Sequence, residues 1–573
     1  MKARPYQSLQ RMASLALAGL VVGLATAFAT IGFVELVQYL NRMLFVSAAS
    51  RAQLDSMQLA LTTIGVLTLG GLAVGLILRY GVEQDEPAGP TDTIYAVQLH
   101  ERLPSPISGV NSTLAAILSL GCGASVGQYG PLVYLGTLVG QVANRLQFGL
   151  RDVRTIAIAC GVAAAISTAF NAPIAALIFT HEVILRHYSL RMFAAVTVAS
   201  ACGYFVANVV FEHPPLFFTF FAGNFRSTEF LLFALEGVAC GLLAVVFMKL
   251  LQHTAGLASR IKIPNACKPM CAGFVVALVA LQVPEVLGAG QEVFRQASVS
   301  GNYGADTLLI ILVAKLLVTV LCIGFGFAGG VIFPTLLIGV LFGALFALLV
   351  PEILLDQYSG LSVYAICGMV AVMSPVIGAP MTSLLLVFEF TRSYEITIAA
   401  MIAIVFANLI SQHWSGRSLY DRQLGQQGID LSMGRERAYL LHQKVIDHMT
   451  QSLPVVPQDA SLAELRGQMA TYSTASAVIV DRRQAYLGQV FQHQLSAHDD
   501  HKTVLSLELN RGHEFDEATS LWDAMQTMRD YMGEAIAVVD SASGRYLGAV
   551  PEAVVINAYL DAAQELRREE HEI

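Results

Sequence analysis

The chain contains one half of itself twice. Gly130-Pro131 is followed by Gly136 and Gly140, five and nine residues after the proline, and Pro334 is followed at the same offsets by Gly339 and Gly343. Further on, Asn171-Ala172-Pro173 leads to Glu182 and Gly378-Ala379-Pro380 leads to Glu389, each carboxylate ten residues after its alanine. The copies lie 203 and 207 residues apart, so two motifs in one order share one period. A repeat this long covers several secondary-structure elements and limits the chain to folds assembled from two like halves. If those elements are apolar helices, the architecture is one that membrane transporters use, with the transported species held near the bilayer midplane where the halves meet.

Composition says that they are. Of 573 residues, 55% are hydrophobic and only 13% charged, too apolar for a soluble protein of this length. Runs long enough to span a bilayer lie at roughly 13–40, 57–79, 192–210, 229–251, 306–325 and 396–412. Runs at roughly 132–142, 156–169 and 362–376 are shorter or broken by Gly and Pro, and they coincide with the repeated motifs. Such segments read as broken helices lining a protected polar path. Lys2, Arg4 and Arg11 precede a first run that is too long for a signal peptide and ends in no small-residue cleavage site. It reads as a retained helix with the N-terminus in the cytoplasm. The eight cysteines all lie at or before Cys367 and show no disulfide framework. Cys267 and Cys271, with no His pair nearby, read as helix packing rather than metal ligands. A net charge of −8 without a basic stripe argues against nucleic acid as a partner; the lipid bilayer is the expected one.

The character of the chain changes near residue 415, where Gly416-Arg417-Ser418 opens a charged stretch through Arg422, Arg435, Glu436 and Arg437. The C-terminal part beyond this stretch carries a repeat of its own. Ser461-Leu462-Ala463-Glu464 is a capping-box pattern opening a helix, and Ala477-Val478-Ile479-Val480 and Tyr486-Leu487-Gly488 read as strands. Ser520-Leu521-Trp522-Asp523, the strand Ala535-Ile536-Ala537-Val538-Val539 and Tyr546-Leu547-Gly548 repeat them at offsets of 59, 59 and 60. This duplicated β-α-β-β-α unit resembles a pair of CBS modules over roughly residues 445–562.

In the apolar part, Gly127-Gln128-Tyr129-Gly130-Pro131, Asn171-Ala172-Pro173, Gly330-Val331-Ile332-Phe333-Pro334, Gly378-Ala379-Pro380 through Glu389 and Leu419-Tyr420 resemble the motifs of the CLC chloride channels and transporters over roughly residues 15–425. The resemblance implies an all-α polytopic membrane domain of two inverted-topology repeats with tilted and broken helices, plus a cytosolic α/β tandem CBS domain. It implies a homodimer with one anion path per subunit, in the plasma membrane (a bacterial inner membrane), with both termini cytoplasmic. Residues 1–425 are then the anion-conducting domain, 426–444 a linker, 445–562 the CBS pair and 563–573 a charged C-terminal tail.

The motifs also have a physics of their own. Glycines before a proline let the backbone turn into a helix, and proline in the first turn forfeits no hydrogen bond. The N–H groups of that turn, at the positive end of the helix dipole, attract an anion with partial charges that let it leave again. Singly, each motif reads as an ordinary helix start with glycines for close packing. Paired across two repeats, they can aim at one point. The expected anion path is lined by Pro90, Thr91, Gln128, Tyr129, Gly130, Ile332, Phe333 and Tyr420, with backbone N–H groups as the ligands at Ile332 and Phe333 and the Tyr420 hydroxyl as the firmest side-chain ligand.

Departures from the family pattern sharpen the expectation. Family members usually carry Gly-(Lys/Arg)-Glu-Gly-Pro, whose glutamate gates the path and carries the proton; here Gln128 replaces the base and Tyr129 the acid. A phenol titrates near pH 10, stays neutral at pH 7 and can plug a narrow path or donate to a passing anion. Proton-coupled members place a pair of glutamates after Asn-Ala-Pro, and here Glu182 takes the first position and Val183 the second, so the relay position is apolar. Glu182 and its counterpart Glu389 read as structural carboxylates capping buried donors, and His181 as packing. The family's Gly-Ser-Gly-Ile-Pro corresponds to Gly89-Pro90-Thr91-Asp92-Thr93, in which either Pro90 or Thr91 replaces the serine and Asp92 caps the following helix.

The expected function is passive, proton-uncoupled chloride conduction gated by Tyr129. Alternatives are a chloride/proton antiporter, a nitrate-preferring member or, from another class, a cation transporter with Glu182 and Glu389 as its intramembrane carboxylates. No nucleophile–base pair or metal cluster stands out, so neither an enzyme nor a cofactor is expected beyond chloride as the transported ion. Nucleotide-binding CBS pairs use Gly-x-(Ile/Val)-(Ser/Thr)-x-x-Asp. The stretches Gly488 to Gln494 and Gly548 to Val554 lack its hydroxyl and aspartate, so ATP binding is expected to be weak or absent.

Overall fold

The computed structural model describes the chain apart from residues 1–4, 100–102, 145–152, 214–225, 301–302, 351–357, 432–433, 496–500, 532 and 572–573. Lys2, Arg4 and the side chain of Arg11, on which the orientation argument rests, lie outside the described residues. The chain forms two compact units, Met1–Gln426 and Gln427–Glu572.

The first unit is helical. In its first half run α1 (Pro5–Met43), α2 (Ser56–Gly81), α3 (Pro90–Gln98), α4 (Pro106–Gly121), α5 (Tyr129–Ala143), α6 (Val153–Phe170), α7 (Pro173–Phe179, continued by a π-helical turn, Thr180–Leu185) and α8 (Leu190–Phe205). The second half holds α9 (Glu229–Arg260), α10 (Lys268–Gln282), α11 (Ala305–Gly324), α12 (Ile332–Leu349), α13 (Leu361–Ile377), α14 (Pro380–Thr391), α15 (Tyr394–Ser415) and α16 (Leu419–Gln426). Among the described residues nine helical segments are long and apolar enough to cross a membrane, and α4, α7, α13 and α14 are the shorter apolar ones. Leu61, Leu69, Leu231 and Ile310 are more than half exposed, the mark of a surface that meets lipid rather than water.

The halves pack alike. In the first, α5 lies on α6, α6 on α8, and α1 on both α6 and α8; in the second, α12 lies on α13, α13 on α15, and α9 on both α13 and α15. The repeated glycines make this possible. A Cβ on Gly136 would collide with Gly161 O and one on Gly339 with Gly368 O, while Gly140 and Gly343 meet Ala157 O and Tyr364 O in the same way. The offsets of five and nine from each proline are therefore the places where one helix backbone touches the next.

The second unit is a tandem repeat. Strands β1 (Val455–Pro457), β2 (Ser476–Val480) and β3 (Tyr486–Phe491) form one sheet with β1 and β2 parallel and β2 and β3 antiparallel. Strands β4 (Glu514–Asp516), β5 (Ala535–Val539) and β6 (Tyr546–Pro551) repeat the order and the directions. Their helices Leu462–Tyr472 and Leu521–Met528 start at Ser461 and Ser520, whose hydroxyls accept from Glu464 N and Asp523 N. This is the α/β tandem expected of a CBS pair. Two boundaries differ from the sequence reading. The stretch read as linker contains a helix, Arg435–His442, because Leu440 and Val445 are buried in the apolar core of the second module with Phe515 and Leu521. The stretch read as a charged tail continues the helix Glu552–His571.

Candidate functional site

Three helix starts meet at the seam of the repeats. Gly127 N donates to Gly330 O at 2.8 Å and Gly330 N to Gly127 O at 2.7 Å, an antiparallel pair that brings the starts of α5 and α12 together from opposite directions. A Cβ on Gly130 would stand 2.8 Å from Gly330 Cα and 3.7 Å from Pro90 Cδ, so the start of α3 touches the same point. Pro90 holds the first turn of α3 after an extended Gly89, and Asp92 accepts from Gly89 N at 2.7 Å. A fourth helix is tied in by a side chain: Thr91 Oγ1 donates to Gln423 Oε1 in the second turn of α16 at 2.8 Å. That bond commits the Thr91 proton, and Pro90 has neither hydroxyl nor N–H, so α3 presents no free side-chain hydroxyl donor here.

First-turn amides have no carbonyl four residues back to bond, so converging starts make a field of partial positive charge. Tyr420, on the first turn of α16, is buried, and its Oη has no hydrogen-bond partner. Ser418 accepts from Asp421 N, and Asp421 pairs with Arg186 at 2.6 Å, which fixes that turn. Gln128, Ile332 and Phe333 are buried at the starts of α5 and α12.

Tyr129 is fully buried, and its Oη makes no hydrogen bond of good geometry, with the Gln128 side chain beside it. Its ring stacks on Phe170, the last residue of α6, with centroids 3.6 Å apart and planes 13° apart, and lies 5.9 Å from Phe333. The rings continue on both sides, from Phe170 to Phe390 at 6.2 Å and from Phe333 to Phe294 at 5.7 Å. Sequence reasoning missed Phe170. It sits one residue before the Asn-Ala-Pro motif, but spacing alone gives no sign that it meets Tyr129.

The paired carboxylates cap each other's repeat. Glu389 accepts from Ile174 N and Ala175 N, both at 2.8 Å, at the start of α7. Glu182 accepts from Met381 N and Thr382 N at 2.9 and 2.8 Å and from Thr382 Oγ1 at 2.6 Å, at the start of α14. Val183 is buried, and His181 is held by a 3.0 Å contact to Leu177 O and stacked on Tyr188. Two further carboxylates lie within the helical unit. Glu229 and Glu236 on α9 are also buried, hidden from a sequence scan by the apolar run around them. Glu229 accepts from Ser359 N and Tyr364 Oη, whereas Glu236 lies between Gly343 and Gly368 with no side-chain partner and the Gly368 backbone beside it. Lys315 is buried on α11 and donates to Val286 O and Gly288 O at 2.9 and 2.7 Å; Gly288 N in turn donates to Gly123 O, bracing the turn before α5. Among the described residues no cluster of His, Cys, Asp and Glu could hold a metal.

In the second unit a cleft of about 1270 Å³ is lined by Phe491, His493, Arg511, His513, Tyr531 and Glu534 among others. Beside it, Gln489 donates to Ala535 O and accepts from Tyr531 Oη at 2.6 Å, joining the modules where a nucleotide-binding pair would carry its motif.

The sequence model described as "Voltage gated chloride channel" matches residues 70–412. The voltage-gated ClC-type chloride channel ClcB of Escherichia coli is 28% identical over 415 residues, covering 71% of this chain and 97% of that protein. The H(+)/Cl(−) exchange transporter ClcA of Vibrio campbellii is 29% identical over 392 residues, covering 64% of this chain and 80% of its own. The crystal structure of a eukaryotic CLC transporter shares the fold with a TM-score of 0.62 at 16% identity, over 95% of this chain and 98% of that one.

Proposed function

The chain belongs to the voltage-gated chloride channel family, and from that premise we propose that it passes chloride passively, without proton exchange, past a gate formed by Tyr129. The observation that carries this reading is the side chain at the meeting of the helix starts. It is a buried phenol, neutral at physiological pH, and its hydroxyl, which makes no hydrogen bond of good geometry within the protein, can donate to an anion. The relay position holds Val183, and the neighbouring carboxylates are taken up by backbone amides of the opposite repeat. That use of Glu182 and Glu389 also speaks against a cation path. The functional unit on this reading is a homodimer in a bacterial inner membrane, with cytoplasmic termini and a CBS pair that is mainly structural.

One observation favours a second reading, coupled exchange: Glu236 is a buried carboxyl packed between α12 and α13 with no side-chain partner, and intramembrane acids of this kind serve proton relays elsewhere. Purified protein in liposomes, driven by a chloride gradient and followed with chloride and pH electrodes, separates the two. The expected result is chloride efflux with no stoichiometric proton movement. Sustained uphill proton movement with an impermeant counter-ion overturns the uncoupled reading, and its loss in Glu236→Gln would assign the relay.

A further inference from the structure

We propose that Phe170 is the latch of the gate: its ring face holds Tyr129 in the path, and Tyr129 moves aside only when the stack parts. This rests on Tyr129 being the gate. Two features separate a latch from simple packing. First, little that is polar holds the Tyr129 ring: its hydroxyl makes no hydrogen bond of good geometry, with the Gln128 side chain beside it. Its position is set by ring faces, and the closest of these is Phe170, nearly parallel at 3.6 Å. Second, the Phe170 ring stands on a fixed mount. Phe170 ends α6 directly before Asn171, which takes a left-handed backbone at φ 59° and is bonded through its side chain to Asn208. Four and five residues on, Glu389 holds Ile174 N and Ala175 N. Phe170 is therefore held at the turn between α6 and α7, and because the Tyr129 backbone is itself held by the Gly127–Gly330 pair, the opening movement is a rotation of the Tyr129 side chain away from that ring.

A stack of this geometry adds a modest preference beyond burial, which corresponds to roughly 2- to 10-fold in the population of the displaced gate. The test is a double-mutant cycle on chloride efflux from liposomes, using wild type, Tyr129→Ala, Phe170→Leu, Phe170→Tyr and Tyr129→Ala with Phe170→Leu. Phe170→Leu should raise efflux roughly 2- to 10-fold, Phe170→Tyr should stay near wild type because the ring face is kept, and Phe170→Leu should add nothing once Tyr129 is alanine. An equal rise in both backgrounds would make Phe170 part of the path wall and overturn the latch. If Tyr129→Ala raises efflux and Phe170→Leu does not, the latch fails while the gate stands; if Tyr129→Ala leaves efflux unchanged, the gate itself fails. Phe170→Met replaces Leu if that variant does not yield monodisperse protein. Failure of both alongside a well-folded Phe170→Tyr assigns the ring to the core and overturns the proposal.

Discussion

At the scale of single residues, the chemistry turns on what has been exchanged for what. A carboxylate in the path can compete with chloride and carry a proton; a phenol can only occupy space or donate a hydrogen bond. Tyr129→Ala should therefore raise chloride efflux, while Tyr420→Ala should chiefly change anion affinity or selectivity, as read from efflux in mixed chloride and nitrate. An alanine at 129 that leaves the rate untouched moves the gate elsewhere. Tyr129→Glu should add block relieved by acid without strong coupling, because Val183 still offers no proton site. Efflux measured from pH 4 to 8 (about the carboxylate range and above) checks the first part, and a pH electrode in the same vesicles checks the second.

At the scale of elements, the helix starts decide the architecture, and here much was legible. Pro131, Pro334, Pro173 and Pro380 each lie in the first turn of a helix, and the glycines spaced after Pro131 and Pro334 mark backbone contacts. These features repeat at fixed intervals, which a single sequence displays. The Phe170–Tyr129 stack, the seat of Glu236 and the Lys315 brace are pairings between distant segments, and periodicity does not encode them. The helix inside the presumed linker was missed because its anchoring side chains are few. Both capping carboxylates were legible as caps, but not that each caps the other half. Since Glu182 accepts three hydrogen bonds and Glu389 two, Glu182→Ala and Glu389→Ala should each destabilise by about 1–3 kcal/mol, Glu182→Ala the more. Thermal midpoints in detergent followed by size exclusion check this. Full stability with altered proton movement would make them relays instead.

At the scale of the whole molecule, a membrane unit of two like halves is followed by a pair of like α/β modules, duplication used twice in one chain. The second duplication kept its cores, with Val456, Leu462 and Ile479 in one module and Phe515, Leu521 and Ile536 in the other, but not a nucleotide motif. Where that motif would supply a ribose-binding aspartate, this chain has Gln494 and Val554, and Gln494 is engaged with Phe491 N and Glu508 O. Calorimetry on the full-length protein should accordingly detect no micromolar ATP affinity, and a tight isotherm would reassign the cleft beside Tyr531 as a regulatory site.

The exchange of caps between halves also imposes an order on biogenesis. The amides of Ile174 and Ala175 wait for a carboxylate 215 and 214 residues later in the chain. At ribosomal rates of about 5–20 residues per second, the first half spends on the order of 10–40 seconds in the membrane with the start of one helix unfinished. Neither half is a self-sufficient folding unit in this respect, although each has its own packed helices. Two fragments divided between Phe205 and Glu229 should each be degraded when made alone and should rescue one another when made together, with Glu389→Ala in the second fragment weakening the rescue.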